Sequence, residues 1–169
     1  MDQIRTSLLL GLFLITPLPS WSACNIVNGK AYGNCENVQV NQGVRPALRI
    51  RNHVMESGIV SGATVYADGS LNFSGIANGD ITVNRGGRLS VTGVVNATVR
   101  NNGGFVEIEG IIDRLISNGG NAVVSGQVGS FSGKGPVIFE KGAILHGTPI
   151  EKRIRLPTVS HSGSSDQQR

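Results

Sequence analysis

Ser57-Gly58-Ile59-Val60, Ser74-Gly75-Ile76-Ala77, Thr92-Gly93-Val94-Val95, Glu109-Gly110-Ile111-Ile112 and Ser125-Gly126-Gln127-Val128 are five versions of one tetrapeptide. Their glycines fall 17, 18, 17 and 16 residues apart. A self-similar period of this length signals a repeat architecture in which each unit buries its apolar face against the next. Within each unit apolar residues alternate with polar ones, the period of a strand with one buried side. Three inward columns follow from aligning the units: Leu71, Leu89, Val106, Ala122; Phe73, Val91, Ile108, Val124; and Val65, Val83, Val99, Ile116. Asn72, Ser90 and Glu107 alternate with them and are expected to face water.

The pairs Gly86-Gly87, Gly103-Gly104 and Gly119-Gly120 punctuate the units, where the chain must turn corners with positive φ. Stacking units about 4.8 Å apart places each inward residue on its own kind. The reading is all-β: a single-stranded parallel β-helix, or β-solenoid, of five to six coils of roughly 17 residues. An antiparallel sandwich or barrel would not hold equivalent residues in step through five units.

The strings Gly75-Ile76-Ala77-Asn78-Gly79-Asp80-Ile81-Thr82-Val83 and Gly93-Val94-Val95-Asn96-Ala97-Thr98-Val99 resemble the coils of bactofilins, polymer-forming cytoskeletal β-helices of bacteria. The resemblance covers about residues 57–150. It implies the solenoid fold and raises self-assembly as an expectation. Bactofilins are cytoplasmic and lack a leader and a disulfide, and here the sequence departs from them.

Residues 1–23 read as a signal peptide. Arg5 precedes the apolar run Leu8–Leu18, which is too short to span a bilayer unaided. Pro17, Pro19 and the small residues Ser20 and Ser22 follow, with cleavage expected before Ala23 or before Cys24. The two cysteines, Cys24 and Cys35, open the mature chain and are expected to form a disulfide in an oxidising compartment. A lipidated Cys24 is disfavoured, because Trp21 stands where a leucine-like residue is needed and Cys35 would lose its partner. The expected location is periplasmic or secreted.

Residues 24–56 read as an N-terminal cap with the disulfide loop and one or two degenerate coils, and residues 57–150 as the repeats. Residues 151–169 read as a basic capping segment followed by a disordered tail. A net charge of +4 is spread along the chain. It allows loose contact with an acidic polysaccharide or the cell wall but is not the dense stripe of a nucleic-acid binder. No transmembrane segment is expected in the mature chain.

Chemistry is sparse. His53, His146 and His161 do not converge, and Asp68, Asp80, Glu107, Glu109 and Asp113 scatter over the repeat. No catalytic residue, metal site or cofactor is expected, and polysaccharide cleavage is the disfavoured reading. The candidate binding surface is Arg88, Phe105 and Val123, with Phe105 pointing outward one coil above Arg88. The functional expectation is an exported structural or interaction protein that self-associates or binds a protein partner. The alternatives are a periplasmic inhibitor of one enzyme or toxin, and a carbohydrate-binding β-helix.

Overall fold

The computed structural model describes residues 24–27, 30–33, 35, 39–40 and 47–156. Residues 1–23, read as a signal peptide, and 157–169, read as part of the tail, lie outside these residues. The chain forms one sheet wound into a three-faced solenoid.

Three short strands, β1 (Cys24–Val27), β2 (Lys30–Tyr32) and β3 (Gln39–Val40), precede the coils. The first coil is β4 (Ala47–Ile50), β5 (His53–Glu56) and β6 (Ile59–Val60), one strand on each of faces A, B and C. The second is β7 (Gly62–Val65), β8 (Ser70–Phe73) and β9 (Ile76–Ala77). β10 (Ile81–Asn84) and β11 (Arg88–Val91) begin the third. β12 (Val94–Ile108) and β13 (Ile111–Val124) then run unbroken round the corners. β14 (Gln127–Gly133), β15 (Val137–Phe139) and β16 (Ile144–Leu145) complete the sixth, and β17 (Thr148–Pro149) and β18 (Ile154–Leu156) turn back on it. The solenoid thus starts at Ala47, inside the segment read as a cap with degenerate coils.

Parallel pairing stacks like on like. On face B, Val54, Leu71, Leu89, Val106, Ala122 and Val137 form one inward column. Glu56, Phe73, Val91, Ile108, Val124 and Phe139 form the next. Cap strands extend both: Cys24 and Ile26 of β1 lie on Val54 and Glu56, and Leu156 and Ile154 of β18 lie on Val137 and Phe139. Face C contributes Val60, Ala77, Val95, Ile112, Val128 and Leu145.

The third column read from the sequence is corrected by the structure. Face A carries two columns: Leu48, Ala63, Ile81, Val99, Leu115, Phe131 and Ile50, Val65, Val83, Asn101, Ser117, Gly133. Val99 therefore stacks on Ile81 rather than Val83, and Ile116 is half-buried, opposite Arg100. The corners differ in length from coil to coil, so counting from the repeat glycine across a corner slips the register. Asn101 takes the inward place because its amide is fully used. Its Oδ1 accepts from the N–H of Gly103 (3.2 Å) and Gly104 (2.8 Å), and its Nδ2 donates to the carbonyls of Gly104 and Asn121.

The repeat glycines serve close approach, not positive φ. A Cβ on Gly75, Gly93, Gly110 or Gly126 would strike the carbonyl of the glycine one coil earlier. That carbonyl already accepts the N–H of the following residue, as in Val94 N–H to Gly75 O (2.9 Å). In the corner pairs, one glycine of each has positive φ: Gly86 (82°), Gly103 (112°) and Gly120 (71°).

Candidate functional site

Arg88 and Phe105 are register neighbours on the outer side of face B, with the guanidinium 5.8 Å from the ring centroid. Phe105 is half-buried and followed in its ladder by Asn121. Val123 belongs to the adjacent ladder, beside Glu107 and one coil further on. The three share a face but do not form one continuous apolar patch.

A second surface is built on face C. Each of its strands contributes one inward and one outward residue, and the outward ones form the ladder Ile59, Ile76, Val94, Ile111, Gln127, Ile144. Ile59, Ile76 and Ile111 are 46%, 41% and 47% exposed. At one coil spacing per step, the stretch from Ile59 to Ile111 is about 14 Å long. Ser57, Ser74, Thr92 and Ser125 rim it on one side, interrupted by Glu109. The hydroxyls of Ser74, Thr92 and Ser125 donate back to carbonyls of the preceding coil at 3.5 Å. Asn78, Asn96 and Asp113 rim the other side, with Asn96 Nδ2 donating to Asn78 Oδ1 at 3.2 Å. Residues 57–61, 74–78, 92–96, 109–113 and 125–129 include no lysine or arginine, although the chain has 15. The stripe is not legible from alternation, because both residues of Ile59-Val60, Val94-Val95 and Ile111-Ile112 are apolar and the pattern does not say which faces out. The signal was the position after the repeat glycine.

Glu56 is the other unforeseen feature. It is buried in the face B column between Ile26 and Phe73. Oε1 accepts the N–H of Gly58, and Oε2 has no partner among the described residues. Burial pushes its carboxyl above the ordinary value, and the Gly58 N–H draws it part of the way back. Counting one period back from Phe73 reaches Glu56, which is where the sequence could have shown it.

Cys24 and Cys35 form a disulfide, with Cα atoms 4.8 Å apart. Asp80 binds Arg100 Nε at 3.2 Å and accepts the N–H of Thr98 at 3.0 Å, a surface arrangement that ties two coils. Glu107 lies on the outer side of face B and Glu109 at the start of face C. Among the described residues no group of three or more His, Cys, Asp or Glu could hold a metal ion. No helix among them is long and apolar enough to cross a membrane.

No family model, curated protein or solved structure matches the chain.

Proposed function

We propose that this chain is an exported structural or interaction protein of the cell envelope, without enzymatic activity, that docks a protein partner on the stripe of face C. The observation that carries this reading is the unbroken outward ladder Ile59, Ile76, Val94, Ile111. Isolated exposed aliphatics are ordinary on protein surfaces, but four in register on a rigid sheet make one contiguous apolar site. Glu109 and Asp113 at one end favour a partner that brings a basic group beside its apolar contact. Export is supported by the zones of residues 1–23 and by the disulfide.

Polymerisation by coil-on-coil stacking, the expectation taken from the bactofilin resemblance, is less well supported. β3 covers the first strand of face A and β1 that of face B, while β18 and β17 cover the last strands of faces B and C. This favours a discrete binder, including the inhibitor class, over a filament.

The test places a photo-crosslinking residue at Ile76 or Ile111, and at Thr82 on face A as control, in cells that express the full chain. One discrete adduct from the face C positions alone is expected. An adduct of twice the chain mass would assign the stripe to self-association. Absence of any face C adduct, or an equal one from Thr82, would overturn the proposal.

A further inference from the structure

The corner between faces A and B is the basic edge of the solenoid. It is formed by residues 51–52, 66–69, 85–87, 102–104, 118–120 and 134–136, one segment per coil. These segments stack closely: a Cβ on Gly103 would meet Arg85 at 3.3 Å, and Asn118 Nδ2 donates to Asn102 Oδ1 at 2.9 Å. Arg51, Arg85 and Lys134 stand on the edge in the first, third and sixth coils, and all three are exposed. Five coil steps separate the first from the last, about 24 Å. Arg88 flanks them on the outer side of face B, and Arg49 and Arg100 do so on the outer side of face A. Against these six cations the edge carries Asp68, and Asp80 is engaged with Arg100. The other outward acids of the coils, Glu107, Glu109, Asp113 and Glu140, lie on or beside the two corners that bound face C. Charge is therefore segregated around the coil, although the net charge of the chain is only +4.

Two of the guanidiniums are held in place. Arg51 lies over the ring of Tyr66 at 4.2 Å, and Arg88 over Phe105 at 5.8 Å. A guanidinium stacked by its flat side keeps its N–H fork directed outward and loses less freedom when it binds an anion. Hydroxyls and amides stand beside the cations: Ser70 and Asn121 in the ladder of Arg88, and Thr64 and Thr82 between Arg49 and Arg100. Among the described residues the exposed large hydrophobics lie elsewhere, so this edge lacks the apolar anchors that membrane insertion or a protein hot spot uses.

We propose that this edge binds a linear acidic polysaccharide, one that bears carboxylates along its length and runs parallel to the solenoid axis. The forks of Arg51, Arg85 and Arg88 take the carboxylates, and the neighbouring hydroxyls and amides take sugar hydroxyls. In a three-faced coil the edge between faces A and B lies opposite face C. The polymer and the apolar stripe thus occupy opposite sides, and one can be held while the other is engaged.

The test is titration of the mature chain with polygalacturonate at about 0.15 M salt, where loose surface attraction is largely screened. It needs no face C partner, so its outcome is independent of docking on the stripe. Binding is expected, with none to neutral dextran. Arg51→Gln/Arg85→Gln/Arg88→Gln should weaken it about tenfold or more. Lys141→Gln/Lys152→Gln/Arg155→Gln removes the same charge elsewhere and should change it by less than about twofold. Melting temperatures of both triple variants verify the fold, and Lys134→Gln, which disturbs no ring, should weaken binding by itself. Absence of binding, or equal losses from the two triple variants, would overturn the proposal. Binding of phosphatidylglycerol vesicles in preference to polygalacturonate, lost in the Arg51/Arg85/Arg88 variant, would overturn it in favour of a membrane surface.

Discussion

Glu56 and Phe73 are register partners on neighbouring coils, and both side chains point into the solenoid. A carboxyl thus occupies a place that later coils fill with Phe, Val and Ile, directly beneath the cap strand that carries Ile26. Neither β1 nor β8, which pack against it, bears a titratable side chain, and among the described residues no ion pair to it is found; on its own strand His53 is exposed.

The sign of the pH effect follows. Below about pH 4.5 the carboxyl is protonated in both folded and unfolded chains, and its contribution is fully present. As pH rises through the raised folded value, the unfolded chain ionises more readily and stability falls. Glu56→Gln should remove that part of the decline. Urea unfolding of both chains from pH 4 to 8 tests this, and parallel curves would refute it. Glu56→Leu removes the same pH dependence but leaves the Gly58 N–H without its acceptor, so at low pH it should be less stable than Glu56→Gln by about 1–3 kcal/mol.

Leu89 is buried and Ser90, its neighbour, faces outward opposite Glu107. Leu89→Ala should cost about 2–5 kcal/mol through lost burial and a cavity. Ser90→Lys should stay within about 0.5 kcal/mol, since it places a cation across from a carboxylate on the surface. Thermal melts of the pair decide; a silent Leu89→Ala would contradict the register.

Two glycines separate two causes of glycine demand. Gly110 has no room for a Cβ, which would strike Gly93 O, whereas Gly142 has open space but φ of 91°. Gly142→Ala should cost about 1–2 kcal/mol, from backbone strain alone. Gly110→Ala must move one coil against another and should cost about 3 kcal/mol or more. A reversed order in denaturant midpoints would rule out the close-approach account.

Replacing Ile59, Ile76 and Ile111 together by Ser should lower the melting temperature by no more than about 2–4 °C per residue, because each is already 41–47% exposed. The same variant should lose the face C crosslink from the remaining position Val94. A large drop in melting temperature would mean that the stripe packs against this chain rather than a partner.

The mature protein should begin at Ala23 or Cys24 and show no free thiol. Intact mass of the envelope fraction with and without alkylation tests both points, and a lipid adduct on Cys24 would exclude the disulfide reading. Replacing Cys24 and Cys35 by Ala should cost about 2–3 kcal/mol, the chain-entropy value for so short a loop.

The sequence alone determined the solenoid, its period and the inward columns of face B, because parallel coils make every inward residue recur one period later. Leu71, Leu89, Val106 and Ala122 could be aligned without a structure for that reason. The cysteine pair was legible because a chain with two cysteines leaves only one possible pairing. Tertiary structure decided whatever depends on corners and ends. Corner lengths vary, so Val99 and Ile116 slipped out of the column assigned to them, and Asn101 took an inward place that its four hydrogen bonds permit. Which of Ile59 and Val60 faces water depends on how a two-residue strand leaves the glycine corner, and composition does not encode that. At the ends, Glu56 became a buried carboxyl when β1 was laid over it, and Phe131 stayed half-exposed because its edge faces no described strand: periodicity describes a coil between two others and is silent about the first and last.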